Sequence, residues 1–176
     1  MTDTTPLRDA YRALLDAAAT VADSGDPSPV PPPGEWNADQ ILAHVSIVNA
    51  ITIAAACAVA SGANTTYDNR IAHDTWTIER IIARAGGNLG LRDRIRVQAD
   101  ALCALGGQAL SEAELDVLVP TLLLSNDTLQ VDQQVPLRDL IAGLAEAELP
   151  GHAKQLLSLL PEGTVLPEGT ATATTP

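Results

Sequence analysis

Phenylalanine is absent from this sequence of 176 residues, and the aromatic residues that do occur are Tyr11, Trp36, Tyr67 and Trp76. Because hydrophobic residues still make up 46% of the chain, Leu, Ile, Val and Ala must fill its interior. An interior of this kind favours closely packed helices over sheets. A chain of this length can bury a sizeable core without disulfides, so we expect one domain.

Basic residues are also scarce. Ten Lys and Arg stand against 22 Asp and Glu, which gives a formal net charge of -12. Such a charge repels the phosphate backbone, so no nucleic-acid partner is expected. The opening residues show no basic segment followed by an apolar core, and a secretory signal is therefore not expected either.

Several motifs of known chemistry are missing. The sequence contains no GxSxG, Walker, CxxC or HExxH pattern, and "GGNLG" at 86–90 is interpreted as a break between helices because no strand precedes it. The two cysteines, Cys57 and Cys103, lie in apolar helical patterns. This placement predicts buried, reduced thiols and a cytoplasmic protein.

One stretch, "ILAHVSIVNAITIAAACAVA" at 41–60, carries no formal charge and is long enough to cross a bilayer. However, His44, Ser46 and Asn49 interrupt it, no Lys or Arg cluster flanks it, and the neighbouring helical patterns are amphipathic. The stretch therefore predicts the central buried helix of a helical bundle, without a membrane partner.

Helix-capping signals divide the chain. Thr5 is predicted to cap a first helix that ends near Asp23, and Asn37 with Gln40 forms a capping box for a second. A further capping box, "SEAE", predicts a short helix at 112–118, and Pro136 is predicted to start a last helix that bends at Pro150. The remaining helical patterns cover residues 76–85 and 89–103.

Four long striped helices with one long crossover predict an all-α fold, an up-down four-helix bundle. Between residues 119 and 135, two β-tolerant runs around Asn126 and Asp127 predict a small hairpin before the last helix. We expect the bundle domain to span residues 1–160. The Thr-, Ala- and Pro-rich segment 161–176 is expected to be a flexible tail.

Three residues form the candidate metal site. Glu148 and His152 are one helical turn apart and so share a helix face, and His44 lies near the start of the buried helix. Two histidines and one carboxylate would leave an open position on a divalent ion, as catalytic zinc requires. His73, beside Asp74 at a loop exit, is interpreted as a surface or capping residue rather than a ligand.

Two segments carry a family resemblance: "GEWNADQILAHVSIVNA" at 34–50, with Trp36 eight residues before His44, and "LRDLIAGLAEAELPGHAKQLL" at 137–157. They resemble the DinB/YfiT-like family of four-helix metalloproteins. In that family a histidine early in the second helix and an HxxxH pair late in the last helix bind zinc, nickel or a similar ion. The matching positions here are His44, Glu148 and His152.

Glu148 replaces the first histidine of the late pair, which is similar to the branch that contains mycothiol-dependent maleylpyruvate isomerase. The resemblance implies one divalent metal, zinc or nickel, and a low-molecular-weight thiol as co-substrate. It also implies a thiol-dependent S-transferase or isomerase acting on small electrophiles, in which a metal-bound thiolate attacks the electrophile.

Two alternatives remain open. A metal-assisted hydrolase would use the same ligands with water in the open position. A non-catalytic interaction protein would keep the bundle without using the metal site. In that case the Ala-rich face formed by Ala54, Ala55 and Ala58 would bury against a partner or a second copy, as in a homodimer.

Overall fold

The computed structural model describes residues 3–26, 29–125 and 128–160 of the chain. These residues are mostly helical and carry one small sheet. The α-helices are α1 (Thr5–Asp23), α2 (Ala38–Ala60), α3 (Thr75–Ala85), α4 (Asn88–Ala104), α5 (Glu112–Leu115), α6 (Leu137–Gly143) and α7 (Leu149–Leu157). The strands are β1 (Tyr67–Asp68), β2 (Leu118–Ser125) and β3 (Thr128–Pro136). The predicted tail at 161–176 lies outside the described residues.

The core lies between four helical units: α1, α2, α4, and α6 together with α7. Helix α1 packs on α4 and α7, while α2 packs on α4, α6 and α7. As the composition predicted, aliphatic side chains fill this core, and many of them are fully buried. The largest of these include Leu14, Ile41, Leu42, Leu91, Ile95, Leu102, Leu137, Leu149 and Leu156.

Helix α2 is the central helix that the sequence predicted. By length and composition it could cross a membrane, but 67% of its most apolar window is buried inside the protein, a pattern that core helices share. The prediction for Cys57 was wrong, because this residue lies on the outward side of α2 and its thiol is exposed. Cys103 is half-buried, and burial raises the pKa of its thiol.

The all-α prediction holds only as a mostly helical fold, because a three-stranded sheet is present. Strands β2 and β3 form the antiparallel hairpin that was expected, with Val119 opposite Val135. The predicted turn residues, Asn126 and Asp127, lie outside the described residues. Strand β1 pairs in parallel with β2, with Tyr67 opposite Thr121, and the sequence did not predict it. A strand of two residues is too short for a period-2 pattern.

The capping predictions at the starts of α2 and α5 are confirmed. The Asn37 side chain accepts a hydrogen bond from the Gln40 amide at 2.9 Å, and the Gln40 side chain accepts one from the Asn37 amide at 3.0 Å. Ser111 and Glu114 form the same reciprocal pair, although α5 is shorter than predicted because β2 begins at Leu118. At α1 the prediction was wrong. Thr5 is already helical, and its amide donates to Asp3 Oδ1 instead.

Replacing Asn37 by alanine removes one half of the α2 capping box. We expect the free energy of unfolding to fall by about 1 kcal/mol, since an orphan amide of the first turn loses its acceptor. Urea unfolding followed by circular dichroism measures this change. Asn37→Ser retains a capping oxygen, and its free energy of unfolding should fall by less than half as much as that of Asn37→Ala. Equal losses in the two variants would show that the cap does not hold the helix start.

The last helix departs from its predicted form. A π-helical segment, Leu144–Glu148, separates α6 from α7, and the Leu149 amide donates to the Leu144 carbonyl five residues back. Pro150 cannot donate the amide hydrogen bond of a regular α-helix at its position, and the π turn ends two residues before it. The irregularity predicted at Pro150 therefore begins six residues earlier, at Leu144, and Glu148 is the last residue of the π segment.

Candidate metal centre

His44 is held in the second turn of α2, and only 4% of its side chain is exposed. Its Nδ1 lies 2.8 Å from the backbone carbonyl oxygen of Ala72, so this nitrogen donates its proton to that oxygen. Ala72 belongs to the 3₁₀ turn Arg70–His73, which packs against α2. A neutral imidazole held in this tautomer has a lone pair on Nε2.

His152 is oriented in the same way from α7. Its Nδ1 lies 3.0 Å from Gln155 Oε1, which accepts the ring proton, and only 16% of its side chain is exposed. Metal-binding histidines are commonly oriented by such a hydrogen bond from the second ring nitrogen to an oxygen. Both candidate histidines of this protein therefore direct Nε2 towards the same point.

Glu148 occupies that point. Its Oε1 lies 2.9 Å from His44 Nε2 and 3.2 Å from His152 Nε2. The π turn and Pro150 do not disturb the register of Glu148 and His152, which remain one turn apart on the same face. Two imidazole lone pairs and a carboxylate repel each other at these distances unless protons or a cation lie between them.

The pKa values of Glu148 and His152 reflect this arrangement. Burial alone would raise the pKa of the Glu148 carboxyl, but the hydrogen bonds and charges of His152 and His44 outweigh burial and hold it far below its usual range. Burial would lower the pKa of His152, but the hydrogen bond and charge of Glu148 outweigh it and raise the pKa. The carboxylate is therefore ionised and able to bind a cation at any pH near neutrality.

The three side chains that the sequence singled out are thus brought together by the fold. One ligand atom from each of His44, Glu148 and His152 lies within 4.8 Å of the other two, so the group could hold a metal ion. The donors are two imidazole nitrogens and one carboxylate oxygen, a set that suits zinc and related divalent ions. Among the described residues, neither cysteine belongs to this group.

The interpretation of His73 as a surface or capping residue was wrong. Asp74 caps α3 by accepting from the Thr77 amide, whereas the His73 ring is half-buried with its centroid 5.1 Å from that of His44. The Trp36 ring lies 4.9 Å from His44 on the same side. The two rings form a wall of a cavity of about 490 Å³ that opens onto the three candidate ligands.

Asn69 fixes the turn that supports His44, and sequence reasoning did not detect it. Its side-chain amide donates to the Leu124 carbonyl at 2.8 Å and accepts from the Leu124 amide at 2.7 Å. The side chain thereby extends the pairing of β2 at the irregularity between Leu123 and Leu124. An asparagine at the end of the segment "TTYDN" was the available signal, but the sequence reveals neither its burial nor its distant partner.

Comparison with protein-family models, with curated proteins and with solved structures finds no match for this chain.

Replacing Gln155 by leucine should weaken zinc binding without removing a ligand. The Gln155 oxygen orients His152, and loss of such a partner typically costs about 10- to 100-fold in metal affinity. Competition against a chromophoric zinc chelator measures the change in Kd. Lys154→Gln alters the exposed neighbouring residue and should leave the Kd unchanged. An unchanged Kd in Gln155→Leu would mean that packing alone orients the imidazole.

Proposed function

We propose that this chain is a divalent-metal-binding protein with a DinB-like up-down four-helix bundle, and that its metal site activates a low-molecular-weight thiol towards a small electrophile. One observation carries the metal site. The Nε2 atoms of His44 and His152 converge on one Glu148 oxygen, while each Nδ1 donates to a carbonyl oxygen. The DinB-like part of the proposal rests on the resemblance of the segments around these residues.

The donor set supports zinc or nickel as the ion. Three protein ligands are one fewer than a closed structural zinc site uses, so an exogenous ligand can complete the coordination. The site is also accessible, because Glu148 keeps 30% of its side chain exposed at the cavity. A buried ligand group with an accessible face is the arrangement that catalytic sites require and structural sites lack.

A divalent ion bound here would lower the pKa of a coordinating thiol, so that the thiolate prevails near neutral pH. Residues of this chain would position the ion and its ligands for this chemistry. His44, Glu148 and His152 would hold the ion, the Ala72 carbonyl and Gln155 orient the two imidazoles, and the rings of Trp36 and His73 line one side of the cavity. In the transfer, the thiol proton passes to solvent, a sulfur–carbon bond forms, and the leaving group departs with its bonding electron pair.

A non-catalytic bundle is the second candidate. The observation in its favour is that each of the three groups already has a polar partner within the protein, because a proton on the Nε2 of either histidine would be donated to Glu148 Oε1. A buried, satisfied polar network of this kind can serve packing specificity alone. A metal-assisted hydrolase would use the same three ligands, with water in place of the thiol.

The test begins with elemental analysis of protein purified without a His tag and without chelator, beside His44→Ala and His152→Ala. The proposal expects near-stoichiometric zinc or nickel in the unaltered protein and loss of the ion in both variants. The loaded protein is then assayed with 2-mercaptoethanol and chlorodinitrobenzene, and chloride release and the thioether product are measured. Unaltered protein that contains no metal and takes up no added zinc would exclude the proposal and leave the non-catalytic bundle.

A further inference from the structure

Two cavities meet at the candidate ligands. The first, of about 490 Å³, lies on the side of Trp36 and His73. The second, of about 800 Å³, lies between the β2–β3 hairpin and the α6–α7 helix. Both are lined by Leu124, Ser125, Glu148, His152 and Gln155, so ligands in either cavity reach the same metal-binding face. Their volumes lie in the range of pockets that hold small organic molecules.

The charged groups on the walls of these cavities are of one sign. Among the lining residues that the structure describes, the formal charges are those of Glu35, Asp139 and Glu148, and no Lys or Arg lines either cavity. Lys154 is adjacent to Gln155 in the sequence, yet it is exposed and lies outside both linings. Apart from the imidazoles of His44, His73 and His152, the other polar lining groups are neutral, and they include Asn69, Gln130 and the Tyr67 phenol.

The Tyr67 phenol stays protonated in this setting. Burial raises its pKa to about 12, and the nearby Glu148 carboxylate adds to the increase. The hairpin cavity therefore offers neutral hydrogen-bonding groups, together with apolar walls that include Leu123, Val131 and Val135. Such a lining can bind hydroxyl, amide and ammonium groups of a ligand without a compensating positive charge.

A ligand that carried a carboxylate or phosphate away from its reacting atom would meet no Lys or Arg side chain here. Burying an unpaired charge is costly, and approach to Glu35 and Asp139 adds like-charge repulsion. A divalent ion held by one carboxylate and two neutral imidazoles keeps a net charge of about +1. This charge attracts mainly the ligand atom that binds the ion, and the distant parts of the ligand much less.

We propose that the two cavities select neutral or cationic ligands over ligands that carry a carboxylate or phosphate. This inference rests on the proposed function, because it concerns the thiol or electrophile that reacts at the same site. It makes Glu35 and Asp139 selectivity residues: neither is a candidate metal ligand, and each lines only one of the two cavities.

The experiment compares three thiols of matched size on cobalt-loaded protein. They are benzyl mercaptans with a para aminomethyl, hydroxymethyl or carboxylate group, in which the rigid ring prevents chelation by the second group. Binding is followed at pH 7 and low ionic strength by the sulfur-to-cobalt charge-transfer absorption. We expect the amine and the alcohol to bind at least about tenfold more tightly than the carboxylate, and the difference to shrink in high salt.

The double variant Glu35→Gln with Asp139→Asn should retain its cobalt and bind the carboxylate nearly as tightly as the alcohol. Equal or tighter binding of the carboxylate by the unaltered, cobalt-loaded protein would overturn this inference and leave the proposed function intact. Protein that binds no cobalt, or a loaded protein that binds none of the three thiols, would overturn the proposed function and this inference with it.

Discussion

Replacing Glu148 by glutamine is expected to reduce zinc affinity by at least about 100-fold. Loss of a residue that only orients a metal ligand costs about 10- to 100-fold, so loss of the ligand itself should cost at least the upper value. The amide has nearly the shape of the carboxyl but carries no charge, so the two imidazoles lose the anion on which they converge. Competition with a chromophoric chelator gives the Kd, and elemental analysis gives the zinc content of protein as purified.

Glu146→Gln is the matched control, because Glu146 lies in the same π-helical segment, is exposed and lies outside the group of candidate ligands. This variant should retain full zinc content. Circular dichroism of Glu148→Gln should show the helical content of the unaltered protein, so that zinc loss cannot be attributed to unfolding. Retention of stoichiometric zinc by folded Glu148→Gln would exclude the carboxylate as a ligand.

Replacing Gly90 by alanine is expected to lower the free energy of unfolding by about 3 kcal/mol, the upper part of the range for overpacked sites. Gly90 is in the first turn of α4, where this helix passes close to the end of α3. An added Cβ would lie 1.8 Å from the Ala85 carbonyl oxygen and 2.8 Å from its carbonyl carbon. Because both atoms belong to the backbone, the junction of the two helices must move.

Differential scanning calorimetry should show the Gly90→Ala transition lower by about 6–12 °C for a chain of this length. Gly143→Ala is the control at a second helical glycine, where no atom lies within 4 Å of an added Cβ. There the substitution should be neutral or should stabilise the protein by up to about 1 kcal/mol. Equal effects at the two positions would mean that the α3–α4 junction accommodates a methyl group.

Local sequence signals predicted the helix boundaries that depend on residues close together in the sequence. The capping boxes at Asn37 and Ser111 form because the partner lies three residues ahead, within reach of any chain that becomes helical there. The interpretation of "GGNLG" as a break between helices is also confirmed, and it too depends only on neighbouring residues. Gly86 and Gly87 adopt positive φ of 80° and 81°, and glycine reaches these values without strain.

Features that depend on distant partners were not predictable. The parallel pairing of β1 joins Tyr67 to Thr121, and Asn69 bonds to Leu124 across 55 residues. Neither pairing leaves a periodic pattern in the sequence. His73 was misinterpreted for the same reason, since its neighbour Asp74 explained its position locally while its ring packs near His44.

The candidate metal site depends both on local sequence and on tertiary structure. The sequence by itself determined that Glu148 and His152 share a face, because four residues make about one helical turn, and that His44 lies on a buried helix. Only the tertiary structure decided that these groups meet, since 104 residues separate His44 from Glu148. Packing of the helices, the π turn before Pro150, and the carbonyl oxygens of Ala72 and Gln155 together set where the three ligand atoms lie. Side-chain chemistry is local, whereas the convergence of side chains depends on the whole core.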